Sequence, residues 1–204
     1  RNRAAAFKLS TGAITNWNPN LDNEVFALAA TANSIIVGGA FNYVGAQIRS
    51  RIGAVNKTNG TVLSWNPNAN DNIYSLATTN SSVYVGGLFT VLGGQKKNYL
   101  AEIDLITGAP TPWDVSTEGT VMTLTFSLGK LFVGGSYYSI GGQLRDGIAS
   151  IDASSGVLTS WNPIISGGII NTMKYYHNKL YVGGTFTTIN GQMRNGLMAF
   201  SSNG

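Results

Sequence analysis

The 204-residue sequence contains no cysteine, so it has no disulfide framework, no thiolate nucleophile and no cysteine-ligated zinc. That absence fits a bacterial secreted protein as well as a cytosolic one. Charge is scarce too: Asp, Glu, Lys and Arg make up 11% of the residues, against roughly a quarter in ordinary soluble domains. The net charge of +4 therefore arises from few residues of either sign. No run of Lys and Arg accompanies a nucleic-acid-reading motif, so no nucleic acid partner is expected. No apolar stretch approaches the length of a membrane span, so no membrane insertion is expected, and no signal peptide opens the chain. No window places apolar residues at i, i+3, i+4 and i+7, which disfavours helical repeats.

What the sequence has instead is repetition. The phrase LYVGGTFTTINGQMR (Leu180 to Arg194) recurs as IIVGGAFNYVGAQIR from Ile35, VYVGGLFTVLGGQKK from Val83 and LFVGGSYYSIGGQLR from Leu131. A second phrase travels with it: TGAITNWNP, NGTVLSWNP, TGAPTPWDV and SGVLTSWNP. Trp17, Trp65, Trp113 and Trp161 are each 48 residues apart, and the glycine pairs beginning at Gly38, Gly86, Gly134 and Gly183 follow at 48, 48 and 49. Such a period marks a repeat architecture. The repeats run over about 3–49, 50–97, 98–145 and 146–194, with a partial one at 195–204, in one composite domain spanning 1–204. The opening RNRAAAFKLSTG already lies inside a repeat and matches RNGLMAFSSNG at the other end. Both ends are thus expected to continue into flanking domains of a longer polypeptide.

Within the second repeat, Ile73 to Thr78 alternates large with small or polar residues and reads as a strand, and Asn80 and Ser81 mark a tight turn. Ser82 to Gly87 is β-branched and aromatic, hence a second strand; a long connection, LFTVLGGQKK, precedes a third at Tyr99 to Asp104. A Thr-Gly turn leads to a fourth, short strand ending at Trp113. Four antiparallel strands per repeat is the unit of a β-propeller blade. The fold class is all-β, a β-propeller of four-stranded blades, with complete blades at about 21–66, 69–114 and 117–162 and three strands of a fourth from Ile169 to Phe200. The ring is read first as a segment of a larger one of six to eight blades. A closed four-bladed ring, with Ala13 to Trp17 supplying the missing strand, is the second reading.

The succession of strand, Gly-Gly, long hairpin, Ala-x-x-Asp, Thr-Gly and Trp resembles the quinoprotein (PQQ-type) propeller repeat, which implies that each tryptophan docks a blade on its neighbour. The string VGGxF, GQxR and TGxxxxWNP is more similar to the delta-60 β-propeller repeats of bacterial secreted proteins and to the repeats of fungal cell-surface polarity markers. The resemblance implies an extracellular or cell-surface setting. Asp104 and Asp152 keep the acidic position, where Lys8 and Asn56 stand in the other copies. The vicinal cysteines and cation-binding acids of the quinoprotein dehydrogenases have no counterpart, so no cofactor is expected.

In a propeller the WNP connection and the long hairpin share one face, and long loops on a rigid scaffold are where binding sits. There Gln47, Gln95, Gln143 and Gln192 recur, followed two residues later by Arg49, Lys97, Arg145 and Arg194. One reading is a ring of cations for an anionic glycan or an acidic partner. The other is that each pair satisfies backbone carbonyls of its own hairpin. The tryptophans read as wedges between blades, and Gly38, Gly86, Gly134 and Gly183 as sites of close backbone packing rather than phosphate loops. The loops NLDNE and NANDN could ligate Ca²⁺ weakly but carry few acids and read as turns, so no metal is assigned. His177 has no acidic neighbour in sequence, and Glu24, Glu102 and Glu118 occupy unrelated places in their repeats. No catalytic residue is therefore named. The sequence reads as a non-catalytic binding or structural module with a protein or glycan partner; a lectin using the long-loop face, or a hydrolase or lyase with a central pocket, are the alternatives.

Overall fold

The computed structural model describes residues 1–201 and is built from strands. Val25–Ala30, Ser34–Gly39 and Ile52–Asn56 form an antiparallel sheet in that order, the innermost first. The second blade repeats it with Ile73–Thr78, Ser82–Gly87 and Leu100–Asp104, and the third with Thr120–Ser127, Lys130–Ser136 and Ile148–Asp152. The fourth has Ile170–Tyr176, Lys179–Gly184 and Leu197–Ser201. The partial repeat expected at 195–204 extends three residues beyond those described.

The expected fourth strand is reduced to a single bridge in each complete blade: Val55 with Val62, Ile103 with Pro110, and Ile151 with Leu158. Two hydrogen bonds flank the first of these, Asn56 N–H to Thr61 O and Leu63 N–H to Ala54 O, before the chain leaves the sheet to deliver its tryptophan. Ala13 to Trp17 does not complete the fourth blade. It pairs with the segment before it, through the bridge Phe7 with Ile14 and the bonds Lys8 N–H to Ala13 O and Thr15 N–H to Ala6 O. Inner strands pack in succession, Val25–Ala30 on Ile73–Thr78, that strand on Thr120–Ser127, and the third on Ile170–Tyr176.

The apolar core is correspondingly divided. Four clusters lie along the chain, three between one blade and the next, as in Trp65, Ile36 and Ile52 packed with Ile73, Val83 and Ile103, and one between residues 4–17 and the first blade. The tryptophan is the outer wedge of each. Trp17 donates from Nε1 to Asn56 O at 3.0 Å and Trp65 to Asp104 O at 3.2 Å, in both cases reaching the following blade. Trp161 instead meets Phe132 and Phe200 edge-on at 5.6 and 5.2 Å.

The paired glycines are required for two different reasons. A Cβ on Gly38 would stand 2.7 Å from Ile73 Cγ2, on Gly86 2.4 Å from Val121 Cγ1, and on Gly134 2.7 Å from Ile170 Cγ2, each in the next blade. A Cβ on the second glycine would meet its own blade: 2.0 Å from Glu24 O at Gly39, and 2.1 Å from Asn72 O at Gly87. There the inner strand carries a bulge, between Val25 and Ala27 and between Ile73 and Ser75, which pushes a carbonyl toward the glycine.

At the opposite end from the long hairpins, the acidic position of the repeat caps the turn after the third strand. Asp104 Oδ1 accepts from the N–H groups of Ile106 and Thr107 and from the Thr107 hydroxyl. Asp152 accepts from the N–H and hydroxyl of both Ser154 and Ser155. Asn56 caps the same turn neutrally, through Thr58 and Asn59.

Replacing Trp65 by Ala removes a buried aromatic wedge and is expected to cost ~3–5 kcal/mol in chemical denaturation; an unchanged midpoint would show that the wedge is not a stabilising element. Hydrogen bonds led by the Ser154 hydroxyl hold the Asp152 carboxyl down at about 2. Because an unfolded Asp titrates near ~3.9, the share of stability this turn supplies is present above that pH and lost as pH falls toward 2. A carboxyl titration followed by NMR should give a midpoint near 2 for Asp152, and an ordinary Asp midpoint would exclude the cap.

Candidate functional site at the hairpin face

The long connection of each repeat is itself a hairpin: Tyr43–Val44 with Gln47–Ile48, Val91–Leu92 with Gln95–Lys96, Ser139–Ile140 with Gln143–Leu144, and Thr188–Ile189 with Gln192–Met193. The long hairpins expected from the sequence are present, each with two short paired strands. Gly93-Gly94 and Asn190-Gly191 are two-residue turns with both φ angles positive, at 57° and 76° and at 50° and 72°, which is the type I′ geometry these dipeptides favour.

Each hairpin is held from below by one apolar residue, Val44, Leu92, Ile140 or Ile189, all buried. These residues also bridge to the segment that follows the tryptophan: Leu21 with Val44, Ala69 with Leu92, Thr117 with Ile140, and Ile165–Ser166 with Thr188–Ile189. The two long connections thus share a face. The Asn/Asp-rich segments lock this arrangement. Asp22 Oδ1 accepts from the N–H groups of Asn42 and Tyr43 at 2.9 Å, and Asn70 Oδ1 from those of Thr90 and Val91 at 2.9 Å. Asp22 and Asn70 were not singled out by sequence, although they occupy the same place in successive repeats. Among the described residues no three His, Asp or Glu side chains converge as a metal site.

The glutamine and arginine of three of the hairpins meet each other. Arg49 donates to Ile48 O at 2.7 Å, to Gln47 Oε1 at 2.8 Å and to Leu63 O at 2.7 Å. Arg145 repeats the set with Leu144 O, Gln143 Oε1 and Thr159 O, the last at 3.4 Å. Arg194 keeps only Met193 O and Gln192 Oε1. Lys97 donates from Nζ to Trp113 O at 2.8 Å and stands 3.7 Å from the Asp114 carboxylate. Arg49 and Lys97 are buried, and burial lowers the Arg49 pKa from its ordinary value. Arg49, Lys97 and Arg145 therefore form separate clamps, one in each of the first three blades, fastening the hairpin to the outer segment of the same blade, while Arg194 stays within its own hairpin. They do not converge on one centre, and most of the guanidinium donors point at carbonyls.

The remaining candidates lie apart. His177, in the turn after Ile170–Tyr176, lies against Tyr176 with ring centroids 4.0 Å apart and the planes tilted by 50°. Glu102 accepts from Thr111 Oγ1 at 2.6 Å within its own blade, and Glu118 raises the Tyr138 pKa by accepting its hydroxyl. A cleft of about 100 Å³ opens between the third and fourth blades, with Phe132, Trp161, Tyr175 and Phe200 around the buried Ser150. It brings together none of the Gln, Arg or Glu candidates. What the hairpin face does present is apolar: Tyr43, Ile48, Val91, Tyr138, Leu144 and Met193 are exposed on the four hairpins.

The clamp geometry separates Arg49 from Arg194. Arg49→Ala removes a buried side chain and leaves the half-buried carbonyl of Leu63 without its donor, and is expected to destabilise the fold by ~1–3 kcal/mol. Arg194→Ala, lacking the outer-strand contact, should stay within ~0.5 kcal/mol of the parent. Equal losses in urea denaturation would show that the outer-strand bond contributes nothing.

A family profile described as "Domain of unknown function (DUF5122) beta-propeller" matches residues 178–204. No curated protein matches. Among solved structures, the computationally designed Ika4 protein superposes with a TM-score of 0.59 at 16% identity, over 90% of this chain and 94% of that one. The designed Ika8 protein gives 0.57 at 14%, over 97% and 64%. The Pan2 WD40 domain of Neurospora crassa gives 0.55 at 11%, over 87% and 52%. The chain thus spans less than two thirds of the latter two. The profile and the superpositions agree on the fold, a β-propeller module.

Proposed function

We propose that the chain is a non-catalytic binding module of a secreted or cell-surface protein, which engages a protein partner through the four projecting hairpins. The observation that carries this reading is the row of exposed apolar side chains, Tyr43, Ile48, Val91, Tyr138, Leu144 and Met193, on hairpins pinned beneath by buried residues and clamped by Arg49, Lys97 and Arg145. A row of apolar groups on a rigid frame costs solubility unless something covers it. Rigid anchoring also lowers the entropy lost on association. Glycan recognition is the second reading, favoured by the exposed rings of Tyr43 and Tyr138, which can stack on sugar faces. The polar donors first considered for a lectin are mostly engaged within the clamps. The delta-60-like phrase VGGxF…GQxR…TGxxxxWNP supports the extracellular setting by resemblance.

Screening the folded chain against glycan and extracellular-protein arrays, beside the variant Tyr138→Ser/Leu144→Ser/Met193→Ser, tests this. The parent is expected to bind protein ligands, and the variant to keep its melting temperature while losing at least about tenfold in affinity, some 1.4 kcal/mol. Selective glycan capture abolished by Tyr43→Ser would move the conclusion to a lectin. Binding unaffected by the triple variant would exclude the hairpin face.

A further inference from the structure

Two neighbouring joints carry the same aromatic triangle. Between the second and third blades, Tyr84 meets Trp113 edge-on at 5.5 Å and stacks with Phe126 at 6.3 Å. Between the third and fourth, Phe132 meets Trp161 edge-on at 5.6 Å and stacks with Tyr175 at 6.2 Å. What fills the triangle differs. In the first joint the Tyr84 hydroxyl donates to Ala153 O at 3.0 Å. Glu102, its cross-strand partner, stands beside it: burial first, and then the Glu102 carboxylate, raise the Tyr84 pKa. Phe132 and Ser150 hold the same two repeat positions in the third blade and pair in the same register. That exchange takes a phenol oxygen and a carboxylate out of the joint.

The space they leave is the cleft of about 100 Å³. Phe132 is half-buried there, where Tyr84 is 2% exposed. Ser150 is 1% exposed and lines the cleft, and its Oγ has no hydrogen-bond partner among the described residues. A buried hydroxyl left in that state has given up water for nothing, which native structures rarely tolerate. At the solvent end stands Lys130, exposed and in no ion pair among the described residues. It shares a strand face with Phe132, two residues on, and lies diagonally across the strand pair from Ser150. Asp152, opposite Lys130, has its Oδ1 held by Ser154 and Ser155 of its own turn. Lys130, Phe132, Ser150, Trp161 and Tyr175 belong to the third blade, the segment leaving it and the inner strand of the fourth, so this is a joint within the described array.

We propose that this joint is a binding site for a small aromatic carboxylate. The ligand supplies what the repeat has lost at this place: its ring packs against Phe132, Tyr175 and Trp161, and its carboxylate accepts from the Ser150 hydroxyl and faces the Lys130 ammonium. An apolar wall with a few convergent polar groups is the usual make-up of a small-molecule site. An enclosed apolar cavity of about 150 Å³ takes a benzene ring, so a smaller cleft that opens at Lys130 admits one ring and no fused system. The site lies at the short-turn end of the blades and is independent of the hairpin face.

The test is an amide and indole NMR titration of the full chain with sodium benzoate at fixed pH and ionic strength, with benzyl alcohol as the uncharged counterpart. The parent is expected to show saturable shifts at the Trp161 indole and at the Phe132 and Ser150 amides, with the Trp17 and Trp65 indoles unmoved. Ser150→Ala installs the residue that Ala54 already supplies in the first blade. It should keep the parent's melting temperature while weakening benzoate by at least about tenfold. Lys130→Met should weaken benzoate by a similar factor and leave benzyl alcohol unchanged. Phe132→Tyr/Ser150→Glu rebuilds the pair of the second blade and should close the cleft to both probes. Absence of a saturable shift in the parent, shifts shared by all the tryptophans, or a folded Ser150→Ala chain that binds as the parent does would overturn the proposal. Benzoate affinity indifferent to Lys130→Met would overturn the carboxylate.

Discussion

The absence of a side chain at Gly38, Gly86 and Gly134 is the constraint on which the blade array rests. The next blade's Ile73, Val121 or Ile170 comes so near the glycine Cα that a Cβ there would lie at 2.4–2.7 Å. One added carbon would hold adjacent sheets apart, and with them the tryptophan wedge and the inner-strand contacts. The second glycine serves another end. It lets the bulged carbonyl of its own inner strand approach within 2.0–2.1 Å of the would-be Cβ, bending that strand into position to make the contact. None of these pairs has positive φ. Their glycine is dictated by space, whereas at Gly93-Gly94 it is dictated by the turn.

From that contact the hairpin face follows. With blades fixed at a regular offset, the chain must travel from the second strand to the third around the rim, and it does so in a two-stranded excursion pinned by Val44, Leu92, Ile140 or Ile189. Such an excursion has carbonyls that no sheet partner satisfies, and a long cation two residues beyond the glutamine reaches them. Arg meets three acceptors at once through its planar fork, as Arg49 does, while Lys97 as a point donor holds one carbonyl and gains a nearby carboxylate at Asp114. That is a physical account of why Asp114 appears in the one repeat whose cation is Lys.

Most of this architecture was legible because the repeat multiplies weak signals. Ile73–Thr78 and Ser82–Gly87 have the bounds that alternation and β-branching indicated, and the third strand begins at Leu100 rather than Tyr99 because Tyr99 takes a positive φ of 64°. The outer strand was over-read: β-like composition before Trp113 does not reveal that the chain departs after one bridge to carry the ring into the next blade. At the candidate site the glutamines and cations were visible as a pattern, but pattern alone could not say whether guanidinium groups point outward or at carbonyls 14 residues away, as Arg49 and Arg145 do. Asp22 and Asn70 stood in loops read only as turns or weak Ca²⁺ ligands, because their partners are backbone N–H groups about 20 residues on, which sequence does not specify.

The division of the core explains how such a chain can be both regular and asymmetric in stability. Each apolar cluster belongs to a pair of blades, so no residue stabilises the whole, and a blade with neighbours on both sides gains two contacts where an end blade gains one. The burial record follows this rule along a single repeat position: Phe7 exposed at the start, Val55, Ile103 and Ile151 fully buried in the complete blades. The same gradient bears on binding. The hairpins of the second and third blades, which carry Val91, Tyr138 and Leu144, belong to blades whose inner strands pack on described neighbours at both sides.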